Sequence, residues 1–145
     1  MKLREIGFAD EAACIADVTQ LAKGCRAGGK WSLPQACWHL TFPIEKSLAD
    51  PGIAQPTPEQ RKMQGFIDQV IASGWPAGAP APEAMIPPRD PGPNTAETLI
   101  ASLRRLQATT LPRVNAFVFG PLDTAKFRRF ALIHAAHHLS FFEPV

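Results

Sequence analysis

Apolar positions recur at spacings of three and four along most of the chain, the period of a helix that buries one face. From Asp10 to Lys23, Ala12, Ile15, Val18, Leu21 and Ala22 keep this spacing, and Gly24 follows as a stop signal. RAGGK, residues 26–30, reads as a turn. Ser32 then stands where an N-cap is expected, with Pro34 in the first turn, and predicts a helix to about Leu48. Its stripe is Leu33, Cys37, Leu40, Ile44 and Leu48. Pro43 lies inside this helix, cannot donate to the carbonyl of His39, and predicts a bend there. Asp50-Pro51-Gly52 ends it. Thr57-Pro58-Glu59 opens another helix, carrying Met63, Phe66, Ile67, Val70 and Ile71 and stopped by Gly74.

The pattern then breaks. Residues 76–93 hold seven prolines, which rule out a regular helix or a central strand. This stretch reads as an extended loop wrapped over the surface or over the mouth of a site, or as a linker that Met85 and Ile86 pin somewhere. Periodicity resumes with Thr95 as the expected cap of a helix to about Thr109, with Leu99, Leu103 and Leu106 inward and Arg104 and Arg105 outward. Between residues 111 and 122 a short extended piece is expected around FVF, and the last helix begins at Asp123 or Thr124. No repeat is visible. Four main helices and one extra predict an all-α fold, an antiparallel four-helix bundle with an additional helix and a Pro-rich loop, in one domain over residues 1–145.

Composition narrows the function classes. With 46% hydrophobic and 19% charged residues in 145, the chain is an ordinary globular domain. A net charge of +2 is too small to indicate nucleic acid, and RRLQ (104–107) and KFRRF (126–130) read as solvated helix faces. No run reaches the ~18–20 apolar residues of a membrane span, and the N-terminus lacks a signal peptide's apolar core. Three cysteines without CxxC fit a reducing compartment, so the expected location is cytoplasmic. No Gly-rich phosphate loop and no GxSxG elbow occur.

The chemistry concentrates in FALIHAAHHL, residues 130–139, which carries three of the four histidines. At about 100° per residue, His134 and His138 fall in the middle of the apolar stripe, and His137 at its edge, roughly 60° away. Imidazoles at i and i+4 can reach a single ion. The remaining histidine, His39, can complete a set of three and leave coordination positions open. His39 lies roughly 140° from the centre of its own helix's stripe, so that helix is buried on two sides, as Trp38 and Phe42 suggest, or His39 faces away. Geometry therefore leaves two readings, a metal site or core histidines satisfied by carbonyls or water. Cys37 reads as core.

GKWSLPQACWHLTFPIEKSL (29–48) and FGPLDTAKFRRFALIHAAHHLSFF (119–142) resemble the two signature segments of the DinB/YfiT-like metalloenzyme superfamily, in particular its branch ending in HxxHHLxFF. The resemblance covers most of the chain and implies a four-helix bundle with a divalent metal, zinc or nickel. The implied ligands are His39, His134 and His138, with His137 behind them or in packing. Better-known members of the superfamily are thiol-dependent transferases and isomerases that use thiols such as mycothiol or bacillithiol.

The expected function is thus a metal-dependent enzyme, of hydrolase or thiol-transferase type, acting on a small molecule. The alternative is a non-catalytic bundle that binds a ligand or partner, with a structural metal or none. Glu45 and Glu143, the nearest acids in sequence, read as solvated or capping carboxylates, and Asp123 as an N-cap, so no general base is named. Trp31, Trp38 and Trp75 fill the core or line an apolar pocket beside the metal. Expected partners are a small-molecule substrate, a low-molecular-weight thiol among the candidates, with no nucleic acid and no membrane. A homodimer is compatible with a bundle of this size, although no face identifies one.

Overall fold

The computed structural model describes residues 3–51 and 54–145, and five helices dominate it: α1 (Glu11–Ala22), α2 (Leu33–Leu48), α3 (Pro58–Ser73), α4 (Thr95–Ala108) and α5 (Thr124–Leu139). None is long and apolar enough to cross a membrane. The fold is not strictly all-α. β1 (Cys25–Ala27) pairs antiparallel with β4 (Phe142–Pro144), and β2 (Arg113–Ala116) pairs antiparallel with β3 (Gly120–Asp123). Strands of three or four residues are too short to show alternation, and the sequence anticipates a short extended piece only within residues 111–122, where β2 and most of β3 lie. The RAGGK turn begins inside β1, and FVF, expected to be extended, is instead the tip between β2 and β3.

Capping sets the helix starts. Asp10 accepts from the Ala13 N–H at 2.9 Å. Ser32 and Thr57 each form a reciprocal capping box, with Gln35 and Gln60 at the third helical position. α4 is the exception: Asn94, not Thr95, occupies the N-cap, in the left-handed conformation and without a side-chain cap bond. Asp123 holds the cap position of α5, also without a side-chain bond, and faces Arg113 instead. Gly52 and the first two residues of the N-terminal stretch lie outside the described residues.

α4 packs against α1 and α2, and α5 packs against α1, α2 and α3. The core joins Cys14, Val18 and Leu21 of α1 to Leu99, Leu103 and Leu106 of α4 and to Leu139 and Phe142 near the chain end. The stripe of α1 is Glu11, Cys14, Val18 and Leu21, while Ala12 and Ala22 are exposed. Glu11 is fully buried because Arg128 of α5 donates to both its carboxylate oxygens, at 2.7 and 2.6 Å. α5 buries residues on more than one side, Phe127, Phe130, Leu132, His134, Ala135 and Leu139 among them, and keeps Lys126 and Arg129 toward solvent. Cys14, Cys25 and Cys37 are free thiols, and burial pushes Cys14 and Cys37 up to about 12, leaving them inert as nucleophiles.

The β2–β3 tip is tightly held. The Phe119 N–H donates to the Ala116 carbonyl at 2.9 Å, and Val118, inside this turn, has φ +63°. A β-branched residue there is strained, by about 1–3 kcal/mol. The Phe117 N–H donates to Ser47 Oγ at 3.0 Å, and the Gln64 amide donates to the carbonyls of Phe119 and Pro121, both at 2.9 Å. Gly120 has φ +80°, and a Cβ on it would collide with the Gln60 side-chain amide. Gly120→Ala is therefore expected to lower stability by about 1–3 kcal/mol. Urea unfolding checks this, and an unchanged midpoint would contradict it.

Candidate metal centre

α2 and α5 carry the four histidines, and their packing brings three together. Ring nitrogens of His39, His134 and His138 all lie within 4.8 Å of one another. Ring centroids are 4.9 Å apart for His39–His134, 4.5 Å for His39–His138 and 4.7 Å for His134–His138. α2 is buried on two sides, which resolves the phase of His39. Cys37 and Leu40 enter the core, and His39 turns toward α5 with only 2% exposure. Trp38 and Phe42 are half-buried, pack on each other, and reach Phe117 rather than the histidines. The α2 helix continues through Pro43 without interruption.

One hydrogen bond fixes the chemistry of His39. Its Nδ1 lies 2.7 Å from the Met85 carbonyl oxygen, which can only accept, so Nδ1 carries the proton and Nε2 keeps a lone pair. That Nε2 lies 3.0 Å from His134 Nε2. Two nitrogens bound at ~2.0–2.1 Å to one ion stand about 3.0–3.4 Å apart, so the spacing fits a shared metal. A carbonyl holding the far nitrogen of an imidazole is the usual outer support of a histidine ligand. Borderline imidazole donors suit zinc, copper, iron or nickel.

Met85 belongs to a short 3-10 turn, Glu83–Met85, inside the Pro-rich segment. That segment wraps the mouth of the site, the first of the alternatives it allowed. Ala79, Pro80, Ala81, Pro82 and Met85 line a cavity of about 430 Å³ that reaches the histidines. Gln35 also donates to the Pro88 carbonyl at 3.2 Å. Met85 is buried, whereas Ile86 is exposed and pins nothing to the core.

Trp31 and Trp75 frame the cluster. Trp31 stacks on His138 at 5.3 Å between centroids, and Trp75 stacks on His134 at 4.5 Å. Both line the cavity, and Trp38 is not among its walls. His137 lies beside the set rather than in it, stacked on Trp75 and edge-on to His138 and Phe141. Neither candidate acid reaches the cavity. Glu45 accepts from the Ser102 hydroxyl at 2.7 Å and pairs with Arg105, while exposed Glu143 lies opposite Arg26 in the β1–β4 pair.

Burial lowers all the histidine pKa values. His134 falls well below the ordinary range, pushed further by the neighbouring imidazoles, and His138 falls to about 3. His39 is lowered by burial, partly opposed by its bond to Met85. At pH 7 the three are therefore neutral, each with a lone pair to offer. Because the folded pKa values lie below the unfolded ~6.5, these groups leave stability unaffected above that pH and reduce it below, where the unfolded chain takes up protons that the fold refuses. The metal-free protein is expected to lose up to about 1.4 kcal/mol per pH unit for each of the three histidines below pH ~6.5. Urea midpoints at pH 7 and 5.5 check this, and a flat profile would contradict it.

The Met85 carbonyl is the part of the site that sequence reasoning missed, whereas Trp31, Trp75 and the Pro-rich segment are walls that it allowed for. A backbone acceptor leaves no mark in residue identity, although Met85 is an apolar residue isolated among prolines. Among known proteins, the family model described as "Protein of unknown function (DUF1569)" matches residues 1–145. No curated protein and no solved structure matches the chain. Because the family match runs from one end to the other, through α2 and α5 with all four histidines, the protein belongs to the DUF1569 family.

Proposed function

We propose that this chain is a DinB-like helical-bundle enzyme that acts on a small molecule at a divalent metal held by His39, His134 and His138. The observation that carries the reading is the convergence of three buried or half-buried imidazoles, one with its lone pair fixed by the Met85 carbonyl, at an apolar cavity. The packing of α4 and α5 each against α1 and α2 supports the four-helix arrangement, with α3 as the additional helix. Zinc or nickel there would supply Lewis acidity and lower the pKa of a bound thiol or water. The cavity has no carboxylate among its described walls, which favours the thiol-dependent transferase type over a hydrolase needing a carboxylate base.

The same wall, which holds no charged side chain among its described residues, favours, as a second reading, a binding protein without turnover. Elemental analysis after reconstitution with zinc or nickel tests the first reading. One ion per chain is expected, and no stoichiometric ion would overturn it.

A further inference from the structure

We infer that the cavity selects an uncharged, largely apolar molecule that presents one neutral donor group toward the histidines. This deepens the proposed small-molecule reading and rests on it. The described lining residues include no Asp, Glu, Lys or Arg, and no Ser, Thr, Asn or Gln. Apart from the soft sulfurs of Met63 and Met85, the polar side-chain atoms that these residues carry are the imidazole nitrogens and the indole N–H groups of Trp31 and Trp75. A charged ligand group would be stripped of water with no opposite charge to meet, at a cost of several kcal/mol.

Of the charges adjacent in sequence to the lining, Glu45 is held by Ser102 and Arg105, Arg128 by Glu11 and Lys126 by Asp68, while Lys30, Lys62, Glu83, Arg104 and Arg129 are exposed. None of them is a lining residue.

The entrance has the same character as the interior. Met63 and Val118 line the cavity yet are 39% and 38% exposed, so the rim offers apolar surface to the solvent. Deeper in, Phe66, Trp75, Phe119 and Phe130 pack on one another with centroids 5.4–6.3 Å apart, a rigid aromatic wall. The volume, about 430 Å³, is that of a small-molecule site, and the hydroxyls and charges of a sugar-bearing or multiply charged thiol would find few partners in it. A neutral thiol, alcohol or carbonyl on an apolar frame meets every requirement. Val118, at φ +63° in the β2–β3 turn, lies between Phe117 and Phe119, and all three line the cavity.

The test compares benzyl mercaptan with 4-(mercaptomethyl)benzoate, which adds one carboxylate to the same ring and thiol. Both are titrated into protein labelled at the methionine methyls, and the Met63 and Met85 signals report on the cavity directly. The full chain is used both metal-free and after zinc loading. The neutral thiol is expected to shift both methyls and to bind at least about tenfold more tightly than the carboxylate in both forms. Equal or tighter binding of the carboxylate, or no shift of either methyl by the neutral thiol, would overturn the inference. A chain that takes up no zinc sinks the metal reading alone, because the ranking in the metal-free protein still decides the ligand class.

Discussion

Replacing His39, His134 or His138 by Ala is expected to cost more than a hundredfold in zinc affinity, while His137→Ala keeps it within about tenfold. The magnitude follows from the energy of such sites: structural zinc contributes about 10–16 kcal/mol, so each of three or four ligands carries about 3 kcal/mol or more. The contrast with His137 follows from position. Its ring stacks on Trp75 and meets His138 edge-on, outside the set whose nitrogens lie within 4.8 Å of one another. Competition against a chromogenic chelator measures the affinities, and circular dichroism shows whether each variant is folded. If a folded His39→Ala protein binds zinc as the parent does, the three-histidine centre is wrong. Equal losses at all four positions would place His137 among the ligands.

Arg128→Ala is expected to destabilise the protein by about 3–5 kcal/mol, a large share of the stability of a domain this size. The change removes both donors from the carboxylate of Glu11, which is 0% exposed, and leaves a charge in the core without a partner. Glu11 sits in phase with Cys14, Val18 and Leu21, so α1 can expose it only by rotating its whole apolar face out of the core. Replacing both partners by apolar residues of similar volume, Glu11→Leu with Arg128→Met, is expected to restore most of the loss, because the penalty lies in the orphaned charge rather than in the pair. Urea unfolding of the two single variants and the double variant measures the coupling. Additive losses would show that the pair is not a unit.

The parts of the fold legible in the sequence share one property: their cause is local. Ser32 and Thr57 act within their own first turns, and both start helices where expected. The Leu99, Leu103 and Leu106 stripe needs only the helical period. Histidine phase on α5 is local too, which is why spacing alone pairs His134 with His138. His39 needs more, since its direction depends on α2 being covered twice, a property of tertiary packing. As a ligand set the three histidines rest on the family resemblance, and their rings do meet at the α2–α5 contact. The hidden parts are non-local or carried by the backbone. β1 finds β4 across more than a hundred residues, the Met85 carbonyl reaches His39 across 46, and Glu11 finds Arg128 across 117. The FVF segment misleads because its aromatic, β-branched composition suits a strand, whereas the register of Arg113–Ala116 against Gly120–Asp123 places it at the turn.

α5 leaves β3 without an intervening residue, and only two residues separate its last turn from β4. Each flanking strand is locked in register to a partner elsewhere, so the helix is clamped at both ends and cannot turn about its axis. One residue inserted anywhere along it would rotate the C-terminal remainder of the helix by about 100°, taking one imidazole away from the others or unzipping a strand. The number of residues between Gly120 and Pro144 is therefore a fixed dimension of this protein, as constraining as the identity of the histidines. Length variation has room in the exposed stretch around Gly78, where neither register nor helical phase has to be kept.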